Sequence, residues 1–238
     1  MRIVDTQLGG LSCRVLDATE RSGGELRGVV VLCHGYGAPA DDLVGLAPEV
    51  LQRRPELAQH LRFVFPAAPL SLGLPFGGRA GGPIDIERLE RAMQRGETRD
   101  MSNEVPQGIE TARRAMQRLL EELLRMTGLT MDRVVLGGFS QGAMLSCDVA
   151  LRLDDALAGL ALFSGTLLMQ DDWKQRAARR RGLPVLQTHG RHDPLLPFGL
   201  AEELSSLLDE AGLEVDFRPF DGPHTILSEN VDALADFL

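Results

Sequence analysis

Short, continuously apolar runs alternate with helix-period segments along most of this chain, and few folds accept that pattern. Gly28–Cys33 (GVVVLC), Leu61–Phe65, Arg133–Leu136, Leu157–Phe163, Pro184–Thr188 and Glu214–Phe220 read as strands. Among them Asp41–Gln52, Glu104–Met126, Gln141–Leu153, Phe198–Ala211 and Thr225–Leu238 carry the apolar spacing of amphipathic helices. A strand with one wet face would alternate apolar and polar residues. Most of these do not, so both of their faces are covered, as in a parallel sheet between two helical layers. Near the start, RIVDTQL and LSCRVLD do alternate, around Gly9-Gly10, which fits an antiparallel hairpin at a sheet edge. The expectation is α/β: a mostly parallel central sheet, helices on both faces and an N-terminal hairpin. Residues 1–238 suit one domain with one sizeable core.

One segment breaks the alternation. Pro66–Asn103 opens with PAAPLSLGLPFGGRAGGP and turns helical in pattern from Ile84 to Arg95. Long connections inside compact α/β domains are usually functional, and this one starts beyond the carboxyl end of a strand, where open sheets bind ligands. It is expected to be a lid or pocket wall, a plain surface loop being the other reading.

GFSQGA, at residues 139–144, directly follows a predicted strand and opens a predicted helix. Gly138 and Gly142 leave room for close backbone packing, so Ser140 can occupy a strained turn with its Oγ exposed. Such a turn is the setting of a nucleophilic serine, and the helix N-terminus beneath it favours developing negative charge.

An alcohol is a poor nucleophile at neutral pH, so Ser140 needs a base. In a doubly wound hydrolase the partners follow in the order serine, acid, histidine. His34 and His60 precede Ser140; His189 and His192 precede completion of any suitable acid loop. Only His224, after the last strand, has a full strand–helix unit between it and an upstream acid. That acid is expected to be Asp193, in the loop directly after Pro184–Thr188. Asp221 is too local to His224 to orient its ring from behind, and Asp154, Asp155, Asp171 and Asp172 sit in polar stretches. An oxyanion site needs two backbone donors. Gln141 N–H, next to the nucleophile, is one; Tyr36 N–H, between Gly35 and Gly37 in the loop after the first parallel strand, is the other. His34 fits a structural role in that loop.

With these residues in view, HGYG at 34–37, FPAAP at 65–69, GFSQGA at 139–144, HGRHDPLLP at 189–197 and the late His224 together resemble the phospholipase/carboxylesterase family, which includes the acyl-protein thioesterases. The resemblance runs from about Gly28 to the C-terminus. It implies an α/β-hydrolase fold and metal-independent hydrolysis of esters or thioesters. It also implies the same roles for Ser140, Asp193, His224, Tyr36 and Gln141. Two departures stand out. The oxyanion loop reads HGYGA where relatives often carry HGLGD-like sequences. GGRAGGPID has Gly81 and Gly82 where relatives often place bulky aromatics. The glycine pair either widens an acyl pocket or only supplies a bend.

The function expected is a serine carboxylesterase acting on short to medium acyl chains through an acyl-enzyme. An acyl-protein thioesterase or lysophospholipase is the near alternative. Leu74 and Phe76, with Gly81 and Gly82, are the expected substrate-binding positions. No cofactor or metal is expected. A ligand-binding protein on an inactive hydrolase scaffold is the alternative from another class, against which the ordered serine, aspartate and histidine count. The partner is then a small ester or thioester, with a homodimer left open.

A net charge of −9 disfavours nucleic acid and anionic membranes as partners, and no apolar run is long enough to span a bilayer. The basic run Lys174–Arg181 (KQRAARRR) reads as a solvated helix end rather than a nucleic-acid patch. RIVDTQLGG lacks the features of a signal peptide, and Cys13, Cys33 and Cys147 form no CxxC pair. Buried free thiols and a cytoplasmic location are therefore expected.

Overall fold

The computed structural model describes residues 2–17, 24–74, 77–83 and 100–238. Its elements in chain order begin with β1 (Arg2–Leu8), β2 (Leu11–Asp17), β3 (Gly28–Cys33), α1 (Leu46–Arg53), β4 (Leu61–Pro66), β5 (Leu70–Ser71) and β6 (Arg79–Ala80). There follow α2 (Ile109–Thr127), β7 (Val134–Phe139), α3 (Gln141–Arg152), β8 (Gly159–Phe163) and α4 (Gln170–Ala177). The chain ends with β9 (Pro184–Gly190), α5 (Phe198–Glu210), β10 (Glu214–Phe220) and α6 (Ser228–Phe237). Eight strands form one sheet in the order β1-β2-β4-β3-β7-β8-β9-β10, and β5 pairs with β6 in a separate ribbon. From β4 to β10 every pairing in the large sheet is parallel, while β1 and β2 add an antiparallel hairpin at one edge.

Every residue of β3 and β8 is buried, as their unbroken apolar runs require. Two core layers account for this. Leucines and valines of α2, α3 and α5 cover one face of the sheet, with Trp173 of α4 sealing its side. Val30, Leu32, Phe63 and Phe65 pack on the other face beneath α1 and α6. The strand order reverses at β3: the chain moves outward to β4 on one side and resumes at β7 on the other. Loops leaving β3 and β7 therefore diverge at their carboxyl ends and open a crevice there.

Several helices start later than expected. α1 begins at Leu46 rather than Asp41, because residues 39–47 close a series of short turns. Pro48 then falls in its first turn, where a missing N–H costs no helical bond. α2 waits until Ile109, since Gly108 sits at φ +83° just after Pro106. β7 runs on through Gly137 and Gly138, whose missing side chains allow close strand approach: a Cβ at Gly137 would lie 2.4 Å from the Ala161 carbonyl oxygen. α4 is not among the helices expected from apolar spacing, since only Trp173 and Ala177 along it are buried, although the basic run Lys174–Arg181 is expected to close a helix there. The helical pattern at Ile84–Arg95 lies outside the described residues. Among the described residues no helix is long and apolar enough to cross a membrane.

Candidate active site

Ser140 terminates β7 and caps α3 at φ +54° and ψ −118°. Such a backbone costs about 1–3 kcal/mol in a residue with a side chain and persists only where neighbours enforce it. They do so here. Ser140 N–H donates to the Phe163 carbonyl at the end of β8 (2.9 Å), and its own carbonyl accepts Met144 N–H at 3.1 Å. A Cβ at Gly138 would stand 2.3 Å from the Cys33 carbonyl oxygen, and one at Gly142 would stand 2.0 Å from it. Both glycines are thus needed to press the turn onto the end of β3, as their spacing predicted.

The loop after β3 passes directly beside this turn. A Cβ at Gly35 would be 3.4 Å from Ser140 Cβ. Among the described residues neither Tyr36 N–H nor Gln141 N–H has a hydrogen-bond acceptor. Gly37 N–H donates to the Arg79 carbonyl (2.9 Å) and Arg79 N–H to that of Ala38 (3.1 Å), which lays the loop against β6. His34 locks its base: Nδ1 donates to the Gly35 carbonyl (2.8 Å), and Nε2 accepts Ala68 N–H (3.0 Å). Burial of this ring pushes its pKa down.

Asp193 and His224 meet behind the turn. His224 Nδ1 donates to Asp193 Oδ2 at 2.6 Å, and the other carboxylate oxygen accepts the N–H groups of Leu195 and Leu196, each at 2.9 Å. Burial disfavours ionisation of Asp193. Hydrogen bonds from His189 and His224, the attraction of His224 and the N–H of Leu196 outweigh it and hold the carboxyl well below its ordinary range. The imidazole of His224 packs on the ring of Phe139, the residue before Ser140, with centroids 4.7 Å apart. Gly190 lets the histidine loop lie across β9, since a Cβ there would strike the carbonyls of Gly222 and Pro223 at 2.4 and 2.3 Å. Ser164, buried at the end of β8, donates its hydroxyl to the Thr225 carbonyl at 3.5 Å.

Sequence reasoning did not anticipate Phe139, Ser164 or His189 as supports. Ser164-Gly165 directly after the apolar β8 run was the one local hint. The rival residues His192 and Asp221 bond each other at the surface, at 2.7 Å, away from the Asp193–His224 pair.

An apolar pocket opens beside Gln141, lined by Gly81, Gly82, Ile109, Ala112, Met144 and Leu145 among others. The Gln141 carboxamide holds its rim: Oε1 accepts Gly81 N–H (2.8 Å) and Nε2 donates to the Gly82 carbonyl (3.1 Å). Gly81 and Gly82 differ in what they do. A Cβ at Gly82 would collide with the Gln107 carbonyl oxygen at 1.9 Å, so this glycine serves close backbone approach. One at Gly81 would meet Gln141 Oε1 and Ala112 Cβ at 3.5 and 3.6 Å, ordinary contacts. Leu74 is half exposed and does not line this pocket. Phe76 lies outside the described residues.

Among the described residues no three His, Cys, Asp or Glu side chains are grouped to hold a metal. The three cysteines are free and buried, and burial pushes the Cys33 thiol up to about 12, which leaves it protonated and unreactive. In the basic run, Arg176 pairs with Asp172 and Arg180 donates to the carbonyls of Asp154 and Asp155, so both serve local structure.

Known proteins resemble this chain in sequence and in fold. An acyl-protein thioesterase 1 of Gibberella zeae is 29% identical over 216 residues, covering 88% of both chains. That of Saccharomyces cerevisiae is 25% identical over 222 residues, covering 89% of this chain and 92% of its own. The crystal structure of esterase PE8 superposes with a TM-score of 0.77 at 28% identity, over 100% of this chain and 98% of that one. A carboxylesterase from Mesorhizobium loti shares the fold, with a TM-score of 0.70 at 21% identity, over 99% and 97% of the two chains. The family model described as phospholipase/carboxylesterase matches residues 17–238, and the chain belongs to this family of α/β-hydrolases.

Proposed function

We propose that this protein is a serine hydrolase of carboxylic esters with short to medium acyl chains, working through an acyl-enzyme. The observation that carries this reading is the 2.6 Å bond from His224 to a buried Asp193, with the imidazole packed on Phe139, the residue that precedes a serine held at positive φ. Ser140 Oγ attacks the acyl carbonyl while His224 Nε2 takes its proton. Asp193 keeps the imidazole in the Nδ1–H tautomer and stabilises the imidazolium. Negative charge on the carbonyl oxygen is received by Tyr36 and Gln141 N–H, each such donor contributing about 3–4 kcal/mol to the transition state. His224 then protonates the departing alcohol, and water repeats the sequence to release the acid.

Thioester cleavage is the second reading, favoured by relatives named acyl-protein thioesterases. The same groups serve it, since a thiolate leaves without needing as much protonation. The segment from Gly81 to Pro83 supplies the wall of the acyl pocket. Two experiments test these proposals. A fluorophosphonate is expected to label wild-type protein at Ser140 and to leave Ser140→Ala unlabelled. Matched oxygen esters and thioesters of rising chain length then decide between the two substrate classes. An unlabelled wild-type protein would support the ligand-binding alternative instead.

A further inference from the structure

His189 is a fully buried histidine on a sheet strand, a place where an apolar side chain would be expected. It occupies the next-to-last position of β9, on the same strand face as Gln187, which donates to the Ala201 carbonyl of α5. Its Nε2 stands 2.9 Å from the Leu196 carbonyl oxygen and 3.3 Å from Asp193 Oδ2. Both are acceptors, so Nε2 carries the proton and shares it between them. Nδ1 is then a bare acceptor, and no described residue donates to it. Burying a ring with one unpartnered nitrogen is unfavourable relative to leucine at the same site. What distinguishes the histidine from an apolar residue here is its single N–H.

We infer that His189 is a positioning residue for the Asp193–His224 pair. Four donors surround the carboxylate. Leu195 and Leu196 N–H fix Oδ1, His224 Nδ1 occupies Oδ2 from the solvent side, and His189 Nε2 reaches the same Oδ2 from within the sheet. The two backbone donors lie on the turn that bears Asp193, so they move with it. His189 belongs to the strand, and its N–H bridges the Leu196 carbonyl and Oδ2 at once. It therefore anchors both the turn and the rotation of the carboxylate to the rigid sheet. Oδ2 is thereby held where His224 must find it, and the imidazole is held in the tautomer that leaves Nε2 free for Ser140.

The inference rests on the hydrolase reading above and is tested in the full chain with two polar replacements. His189→Gln can place an amide N–H close to the position of the histidine Nε2, whereas the shorter His189→Asn cannot. Both keep a polar group in the core, so folding penalties are comparable, and folded fractions are measured alongside. With p-nitrophenyl acetate, His189→Asn is expected to lower kcat per folded molecule by about tenfold or more at nearly constant KM. This loss stays below the ~10⁴-fold that accompanies loss of the acid's role in serine proteases. His189→Gln is expected to recover most of it. Equal kcat in the two variants, or a loss confined to KM, overturns the inference. The hydrolase reading fails separately, if wild-type protein is not labelled by a fluorophosphonate at Ser140.

Discussion

His192 bonds Asp221 at 2.7 Å on the surface, although one adjoins Asp193 in sequence and the other lies three residues before His224. Both side chains are mostly exposed, and the pair only staples the two loops from outside. Replacing His192 with alanine is therefore expected to leave ester hydrolysis largely intact. Ser140→Ala and His224→Ala are expected to lose several orders of magnitude in kcat, by similar amounts, because the residues act as a unit. Steady-state kinetics on one p-nitrophenyl ester checks all three. An inactive His192→Ala beside an active His224→Ala would reassign the base.

Acid stability is expected to decline in two separate windows. His34 is neutral in the fold and its pKa is pushed down by burial, so its contribution is complete above the ordinary histidine value of ~6.5. That contribution is lost as pH falls below ~6.5 and through the lowered folded value, because the unfolded chain binds the proton first. Asp193 is also held below its ordinary value, so its contribution is lost only below ~3.9. Denaturant midpoints measured from pH 8 to pH 2 check this. His34→Gln, which keeps an acceptor for Ala68 N–H, should flatten the first window and Asp193→Asn the second. A wild-type profile with no slope between pH 7 and pH 5 would count against the first assignment.

Asp148 is the charged hub beneath the site. Fully buried on α3, it accepts Arg113 Nε at 2.5 Å, Arg152 Nε at 2.9 Å and Trp173 Nε1 at 3.1 Å, which joins α2, α3 and α4. Removing it takes the acceptor from the Arg113 guanidinium and the Trp173 indole N–H and leaves Arg152 with Asp172 alone. Asp148→Ala is expected to cost about 3–5 kcal/mol of stability. Glu110→Ala, which breaks an exposed pair with Arg114, should change the midpoint little. Urea denaturation of the two variants compares them directly, and equal midpoints would refute the hub.

The strand–turn–helix at Ser140 was readable from sequence because its glycines and apolar run are local, and chain order was enough to single out Asp193 and His224 as candidates. The supports were not readable, because they join elements far apart in sequence. Phe139 reaches residue 224, and Ser164 reaches Thr225. Helix starts were misjudged for a different reason. Apolar spacing extends past the helix ends, whereas Asp41–Gly45 closes short local turns and Pro106 with Gly108 at φ +83° holds Glu104–Gly108 out of α2. Thr225–Leu227 similarly belong to the histidine loop rather than to α6.

The glycine pair yields the most specific prediction. Gly81 N–H is held by Gln141, and a side chain on Gly81 would project between the Gln141 carboxamide and Ala112, into the apolar pocket. Its backbone does not have a positive φ, so Gly81→Val imposes no left-handed strain. The added methyls are expected to shorten the acyl chain that fits. Each methylene denied burial is worth about 0.8 kcal/mol, so excluding two lowers kcat/KM roughly tenfold for long chains relative to acetate. Gly82→Ala gives the contrast. Its Cβ meets the Gln107 carbonyl oxygen at 1.9 Å, so the turn before α2 must shift, and activity should fall on every ester together with thermal stability. Chain-length profiles from acetate to octanoate separate the two patterns. A uniform fall in Gly81→Val, matching that of Gly82→Ala, would mean that the pair serves backbone geometry alone and that the acyl chain lies elsewhere.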